Sequence, residues 1–342
     1  MAQSKHQTPM NHNTPSVSCR VCGGTHAVEW LHPREMMFGT REQFDYFRCG
    51  DCGCLQIASV PENMGDHYSN GYYSCRELGD LSPRFTERMK RRLLYPRMTR
   101  SKLGWNDRIG DALRKVGSGP PLQHWINYLE GPLPLDLPIL DVGCGSGEDL
   151  LGLSNCGFTR LLGVDPYLKE SLHYESGLEI RKCQLADITD RFGLITFHHV
   201  FEHLENPIET LVTARNLLEQ GGRILIRIPL SDSKACEVYR ENWVQLDAPR
   251  HITLQTRKSM EYLATKAGLR ILQVDYDSSS FQFWGSEQYR NDIPLSDPRS
   301  YSKDPAAGVF SKEQSQSFTE DAKLLNEQQK GDQAAFVMVV DS

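Results

Sequence analysis

The sequence predicts an α/β fold, a mostly parallel sheet with helices on both faces, from three features. From Pro138 onward, apolar strand-like runs alternate with helix-like stretches, as they do where crossover helices cover a parallel sheet. At 139–150, "ILDVGCGSGEDL" joins a buried-strand pattern to a turn with glycine at 143, 145 and 147. The chain then finishes on "AAFVMVV" (334–340), a continuous apolar run of the kind found in strands buried on both faces.

Taken in order, residues 1–15 are rich in Gln, Asn, Thr and His and read as a flexible tail. Residues 16–60 read as short strands and tight turns around "CRVCGG" and "FDYFRCGDCGCLQI". Residues 61–135 turn basic and helical, with "FTERMKRRLLYPRM" and "LQHWINYLEG" separated by "GSGPP", and are expected to form a connector or lid. The sheet domain spans 136–342. Its strands are "PILDVG", "RLLGVDP", "LEIRKCQLAD", "FGLITFHHV", "RILIRIPL" and "LRILQVDY", and the final apolar run makes seven. Its helices are "EDLLGLSNCG", ended by Gly157, then "NPIETLVTARNLLEQGG", with Asn206 as N-cap and Gly221 past its end, and "TRKSMEYLATKAG". A polar insertion at about 281–333 precedes the last strand.

Composition narrows the classes. A chain of 342 residues with net charge -6 and 39% hydrophobic content buries at least one large core, and its charge does not imply nucleic acid. No run of about 18 apolar residues suggests a membrane span, and the first fifteen residues lack a secretory apolar segment, so a cytoplasmic location is expected. Oligomeric state is not legible. Of ten cysteines, Cys19, Cys22, Cys49, Cys52 and Cys54 crowd the N-terminal region, which suits reduced thiols and a metal better than disulfides. Two C-x2-C pairs separated by 26 residues suit tetrahedral zinc on Cys19, Cys22, Cys49 and Cys52 in a closed, structural ribbon site. Cys54, His26 or His32 remain open as substitutes. A unit of this size cannot bury enough core alone, so the metal is expected to supply folding energy.

Glycines after a buried strand let the chain turn sharply, and let a ligand lie on backbone amides at a helix N-terminus. The dinucleotide fingerprint needs glycine at 148, where Glu148 stands. The turn is instead Gly143-Cys144-Gly145-x-Gly147, with Asp141 two residues before it, an acid that repels a pyrophosphate. Asp165, eighteen residues after Gly147, is placed to accept both hydroxyls of a ribose. Asp187 is placed to accept from an adenine amino group beside the apolar Ile188.

"LDVGCGSG", "GVDP", "LADI" and "FHHVFEHLENP" together resemble the motif series of class I S-adenosylmethionine-dependent methyltransferases. With "WVQLDAPRHITLQTRKSM", the chain resembles bacterial small-molecule and glycan methyltransferases that carry an N-terminal zinc module. The resemblance covers about 138–280 and the final strand. It implies a Rossmann-like seven-stranded sheet whose last strand inserts antiparallel between the fifth and sixth, and S-adenosylmethionine as cofactor. Gly193 departs from the pattern where such enzymes carry an acid.

Methyl transfer needs an aligned acceptor and, for O, N or C acceptors, a base near the carboxyl end of the fourth strand. His198 and His199 alternate in direction there, and His199 is the first candidate to face the acceptor. His203 and His251 are further candidates, with packing or capping as the alternative for His203, and a solvated or structural role is favoured for Glu202. In "DAPRHIT", Asp247 and Arg250 suit substrate binding, the alternative being a salt bridge with each other. Trp243 and Tyr239 line the pocket or pack in the core. The expected acceptor is a small molecule or a glycan or nucleotide-sugar precursor. An RNA methyltransferase gripping nucleic acid with the ribbon fits less well, because Arg20, Arg34, Arg41 and Arg48 are balanced there by acids and no lysine is present. A zinc-binding interaction protein without catalysis leaves the row of acids unexplained.

Overall fold

The computed structural model describes residues 17–68, 89–93, 95, 122–129, 131–304 and 309–341. The expected tail and most of the expected connector lie outside these residues.

Near the N-terminus, β1 (Ala27–Leu31), β2 (Tyr46–Cys49) and β3 (Leu55–Ile57) form an antiparallel ribbon. The stretch "LQHWINYLEG" holds only a 3-10 turn, His124–Tyr128, where a regular helix was expected. Its apolar residues Leu122, Trp125, Ile126 and Leu129 bury themselves in one cluster with the first long helix of the sheet domain, so packing sets its shape.

The sheet domain opens with β4 (Ile139–Val142), α1 (Glu148–Asn155) and β5 (Leu161–Val164), followed by β6 (Leu172–His173) and β7 (Glu179–Arg181). Then come β8 (Phe192–His198), α2 (Pro207–Asn216), β9 (Leu218–Pro229), α3 (Lys234–Tyr239), β10 (Thr253–Leu254), α4 (Arg257–Lys266) and β11 (Leu269–Tyr276). Two helices, α5 (Phe281–Arg290) and α6 (Lys312–Glu327), precede β12 (Gln333–Val340). The large sheet runs β11-β12-β9-β8-β4-β5-β7-β6. The seven expected strands are all in it, and the two-residue β6 adds an edge.

The pairing follows from what each strand buries. β4 is parallel to β5 and β8, and β9 is parallel to β8. β12 is antiparallel to both β9 and β11, with Phe336 opposite Ile226 and Val274. Alternate residues feed opposite faces. Ile224, Ile226, Ile228, Phe336 and Met338 pack with Leu211 of α2 and Leu263 of α4, while Leu225 and Val337 pack with Leu150 and Leu153 of α1. Helices therefore cover both faces, as the apolar runs require.

Two boundaries differ from expectation. α2 stops at Asn216, and Gly221, with φ +76, lies inside the irregular start of β9 rather than past the helix end. Asn206 precedes α2 without a side-chain cap bond, leaving Pro207 as the start signal. The 281–333 segment is not a polar loop. Ser311 caps α6 in a reciprocal box with Gln314, and Phe318 of α6 stacks on Phe283 of α5 and meets Phe310 edge to face, with ring centroids 5.7 and 5.3 Å apart.

The ribbon does not stand alone. β10 pairs antiparallel with β3, Thr253 opposite Gln56, so the small sheet runs β1-β2-β3-β10 and is completed by the sheet domain. Leu31, Tyr46, Leu55 and Ile57 share a core with Trp243, Leu246, Ile252 and Leu254. The apolar burial thought missing from a 45-residue unit is supplied by this contact.

Candidate functional site

At the carboxyl end of β4 the chain turns on Gly143, Gly145 and Gly147, with φ +68, +53 and +78, and enters α1 directly. A side chain at 143 would meet Val200 at 2.5 Å, and one at 147 would meet Ile180 at 2.6 Å, so both conformation and space demand glycine. Asp165, at the end of β5, holds this turn: Oδ2 accepts from Gly145 N at 3.0 Å and Oδ1 from Tyr167 N at 2.9 Å. Cys144 lies over Gly163 of β5, where a Cβ would touch its Sγ at 2.5 Å. Burial pushes its thiol well up.

Besides Asp165, two carboxyls flank the turn in sequence, Asp141 before it and Asp149 after it. Asp141 is buried and accepts from Thr196 Oγ1 at 2.7 Å. Burial, followed by the charge of Asp149, raises its carboxyl well above the usual range. Asp149 accepts from Trp125 Nε1 at 3.1 Å and is also raised by burial. Asp187 is exposed beyond β7, where Oδ2 accepts from Gln184 N at 2.9 Å, and Ile188 is buried beside it. A cation set against Asp141 and Asp149 would favour their ionised forms and be held by them, whereas a phosphate would be repelled.

Past β8 the chain passes Val200, which packs on Gly143, and places His199, Glu202 and His203 beside the turn. His198 and His199 diverge as alternation requires. The ring of His198 lies tilted against Trp125 at 4.7 Å between centroids, and its two nitrogens are buried without hydrogen bonds among the described residues. His199 adopts φ +54, with Nε2 at 3.0 Å from Arg227 Nη1 and Nδ1 at 3.3 Å from Glu202 Oε1. Arginine can only donate, so Nε2 receives that bond and its lone pair is not open to an acceptor's proton.

Glu202 is 1% exposed, not solvated. Burial would raise its carboxyl, but the imidazoles of His199, His251 and His203 draw it down to about 2. His203 Nδ1 lies 2.8 Å from Arg250 O and 3.1 Å from Tyr68 OH. His251 Nδ1 lies 2.7 Å from Gln245 O, and burial pushes this imidazole down to about 4.

The structure does not turn Arg250 toward a ligand. Its side chain is 0% exposed and lies between Asp247 (Nη2 to Oδ1 2.5 Å, Nε to Oδ2 2.9 Å) and the equally buried Glu35 (Nη2 to Oε1 3.0 Å). Asp247, held below the usual carboxylate range against the opposing effect of burial, is committed to Arg250. The salt-bridge alternative describes this pair, and the bridge ties the N-terminal segment to the sheet domain. Trp243 and Tyr239 are buried as well, donating to Asp332 Oδ2 at 3.0 Å and Glu287 Oε1 at 2.9 Å.

Several residues at the site carry no motif. Tyr68 stacks on Tyr167, which is 85% exposed, with centroids 6.3 Å apart, and so bridges the Asp165 loop to His203. Arg227 of β9 pairs with Asp277, which also accepts from Tyr128 OH at 3.0 Å and Gln333 Nε2 at 2.7 Å. Charge at the end of a strand is the signal that could have found Arg227; its partners His199 and Asp277 lie 28 and 50 residues away.

The sulfurs of Cys19, Cys22, Cys49 and Cys52 lie within 4.8 Å of one another. Cys19 and Cys52 are 3.6 Å apart, and Cys22 and Cys49 are 3.5 Å apart. Four thiolates at about 2.3 Å from a tetrahedral ion are about 3.8 Å apart, so the set fits zinc with little adjustment. Gln56 Nε2 donates to Cys19 Sγ at 3.0 Å, a bond that favours a thiolate. Cys54 is fully buried outside the set, and His26 and His32 are not in it.

Residues 118–274 match the family model described as a methyltransferase domain. The chain is 26% identical over 117 residues to a tRNA U34 carboxymethyltransferase of Cellvibrio japonicus, covering 30% of this chain and 36% of the relative. It is 28% identical over 110 residues to a ubiquinone biosynthesis O-methyltransferase of Azotobacter vinelandii, covering 29% and 47%. The chain thus spans about a third to a half of the length of these relatives. Among solved structures it is similar to a cyclopropane synthase from Mycobacterium tuberculosis, with TM-score 0.39 and 14% identity over 59% of this chain and 78% of that one. The match to the methyltransferase-domain model runs across the glycine turn and all three strand-end acids, Asp141, Asp165 and Asp187.

Proposed function

We propose that the chain transfers a methyl group from S-adenosylmethionine to a small molecule or a glycan or nucleotide-sugar precursor. The observation that carries the cofactor is the glycine turn ringed by buried carboxylates. The charges of Asp149 and Asp165 add to burial in raising the Asp141 carboxyl, a surround of carboxyls that suits a ligand bearing an ammonium and a sulfonium. Asp165 would take the ribose hydroxyls, Asp187 the adenine amino group, and Ile188 the adenine face. When bound, S-adenosylmethionine supplies an electrophilic methyl group. The protein's part would be to align the acceptor's lone pair with that methyl group and to let the acceptor's proton leave. The cluster of Glu202, His203 and His251 would face the acceptor, with Tyr68 and Tyr167 beside His203. His199, engaged by Arg227, positions Glu202. The four cysteines would hold a structural zinc.

A relative named for tRNA raises the second reading, an RNA acceptor. The ribbon's arginines argue against it. Arg20 is bonded to Gln56 and Ile57 O, Arg34 and Arg41 to Asp292, and Arg48 to Glu29, so none extends freely toward a phosphate backbone. The deciding experiment is a release assay for S-adenosylhomocysteine with nucleotide sugars, small phenols and total tRNA as acceptors. Release with a small acceptor and none with tRNA is expected; release with tRNA alone would overturn the substrate class.

A further inference from the structure

A second cluster of metal-ligand residues lies apart from the cysteines. One ligand atom each from Glu202, His203 and His251 lies within 4.8 Å of the others. Three observations separate this group from an ordinary buried polar cluster.

First, both imidazoles are oriented by backbone carbonyls. His251 Nδ1 faces Gln245 O at 2.7 Å and His203 Nδ1 faces Arg250 O at 2.8 Å. A carbonyl only accepts, so each Nδ1 carries the hydrogen and each Nε2 keeps its lone pair. A carbonyl on the far nitrogen is the usual way a metal-ligating imidazole is held. Second, His251 Nε2 points at Glu202 Oε1 from 3.9 Å, with Asp247 Oδ2 also at 3.9 Å. A neutral imidazole lone pair facing carboxylates is an arrangement of acceptors without a donor. Third, both oxygens of Glu202 are buried without a hydrogen bond of ordinary geometry among the described residues, the one donor in reach being His199 Nδ1 at 3.3 Å from Oε1, which leaves Oε2 unanswered. A buried carboxylate oxygen left this way is costly unless a positive group completes it.

We propose that Glu202, His203 and His251 form a second metal site, a two-histidine, one-carboxylate set for a divalent cation of the zinc, cobalt or iron class. The mixed nitrogen and oxygen donors favour such ions over magnesium or calcium, which prefer all-oxygen shells. Metal–ligand distances of about 2.0–2.2 Å require the three side chains to close by roughly an ångström. Three protein ligands leave a position open, unlike the four-cysteine set. The cation's place in methyl transfer rests on the function proposed above: an acceptor hydroxyl on the open position would be acidified by the ion, and its proton would leave to solvent rather than to an imidazole.

The test is cobalt(II) added to the full chain as purified with zinc in its cysteine site. Visible absorption from low-symmetry cobalt, without a thiolate-to-cobalt charge-transfer band, and a total of two metal equivalents per chain are expected. His251→Ala and Glu202→Gln should each lose the cobalt equivalent and keep the zinc. Because Glu202 is buried, the half-buried His203→Gln serves as the variant most compatible with folding, and it too should lose cobalt. Cobalt binding in His203→Gln equal to wild type, or a single equivalent per chain under excess cobalt, would overturn the site. A titration of S-adenosylmethionine on the same wild-type sample separates the two proposals. Cofactor binding without a second metal removes the cation alone, whereas no cofactor binding removes the underlying function.

Discussion

Replacing Arg250 by alanine tests how the N-terminal segment is held against the sheet domain. The guanidinium is 0% exposed and bonded to Asp247, Glu35 and His67 O, and it lies 5.2 Å from the Phe38 ring centroid. Glu35 is also 0% exposed, and it accepts from Met37 N, Phe38 N and Thr40 N as well, so it cannot turn to water without unravelling that loop. Removing the cation leaves two buried carboxylates, a loss of about 3–5 kcal/mol by analogy with other broken buried pairs. With an unfolding entropy of about 2.1 cal/mol/K per residue, a 342-residue chain should melt roughly 4–7 °C lower. Urea and thermal unfolding of Arg250→Ala, Glu35→Gln and the double variant form a cycle, and coupling of about 0.5–3 kcal/mol is expected because the two side chains touch. An Arg250→Ala variant within about 1 kcal/mol of wild type would refute the reasoning, since surface arginines commonly cost no more than that.

Asp332 offers a pH test. Burial pushes its carboxyl from 3.8 up to about 6, against the opposing bond from Trp243 Nε1. Its folded form binds a proton more tightly than the unfolded one, so its contribution is complete below about pH 3.8 and is lost as pH rises through about 6. At pH 8 the buried anion costs up to about 3 kcal/mol, and Asp332→Asn should gain stability there but not at pH 4; equal stability profiles would refute the shift. A chain truncated after Gln333 removes the partner of both β9 and β11 and should be insoluble or unfolded, whereas a soluble product with an unchanged melting midpoint would contradict the central placement of β12. For the cysteine set, elemental analysis should find zinc lost in Cys22→Ser and retained in Cys54→Ser, and the opposite pattern would reassign the ligands.

What could be read from sequence alone divides by the range of the interaction. The strands were legible because each is a short apolar run, and β12 stood out after a polar stretch. The cofactor turn was legible because alternate glycines, a preceding acid and the spacing to Asp165 are local. α5 and α6 were missed because Phe283, Phe310 and Phe318 are too widely spaced to form one visible apolar stripe. The Asp247–Arg250 bridge was visible as spacing, but Glu35, 215 residues away, was not, and it is Glu35 that helps turn the arginine inward. His199 was favoured by its position at the strand end, yet Arg227 on the neighbouring strand occupies its second nitrogen, a contact no single-strand pattern encodes.

Calorimetric titration of S-adenosylmethionine into wild type and Asp165→Ala tests the central claim most directly. The carboxylate holds Gly145 N and Tyr167 N and is proposed to take the ribose hydroxyls. Losing charge-assisted bonds of about 1.5–3 kcal/mol should weaken binding roughly 10-fold to 150-fold, with the fold retained by circular dichroism. Saturable binding to wild type with this loss in Asp165→Ala is the predicted result. No binding to wild type, or equal binding by both proteins, would contradict a methyltransferase cofactor site at the glycine turn.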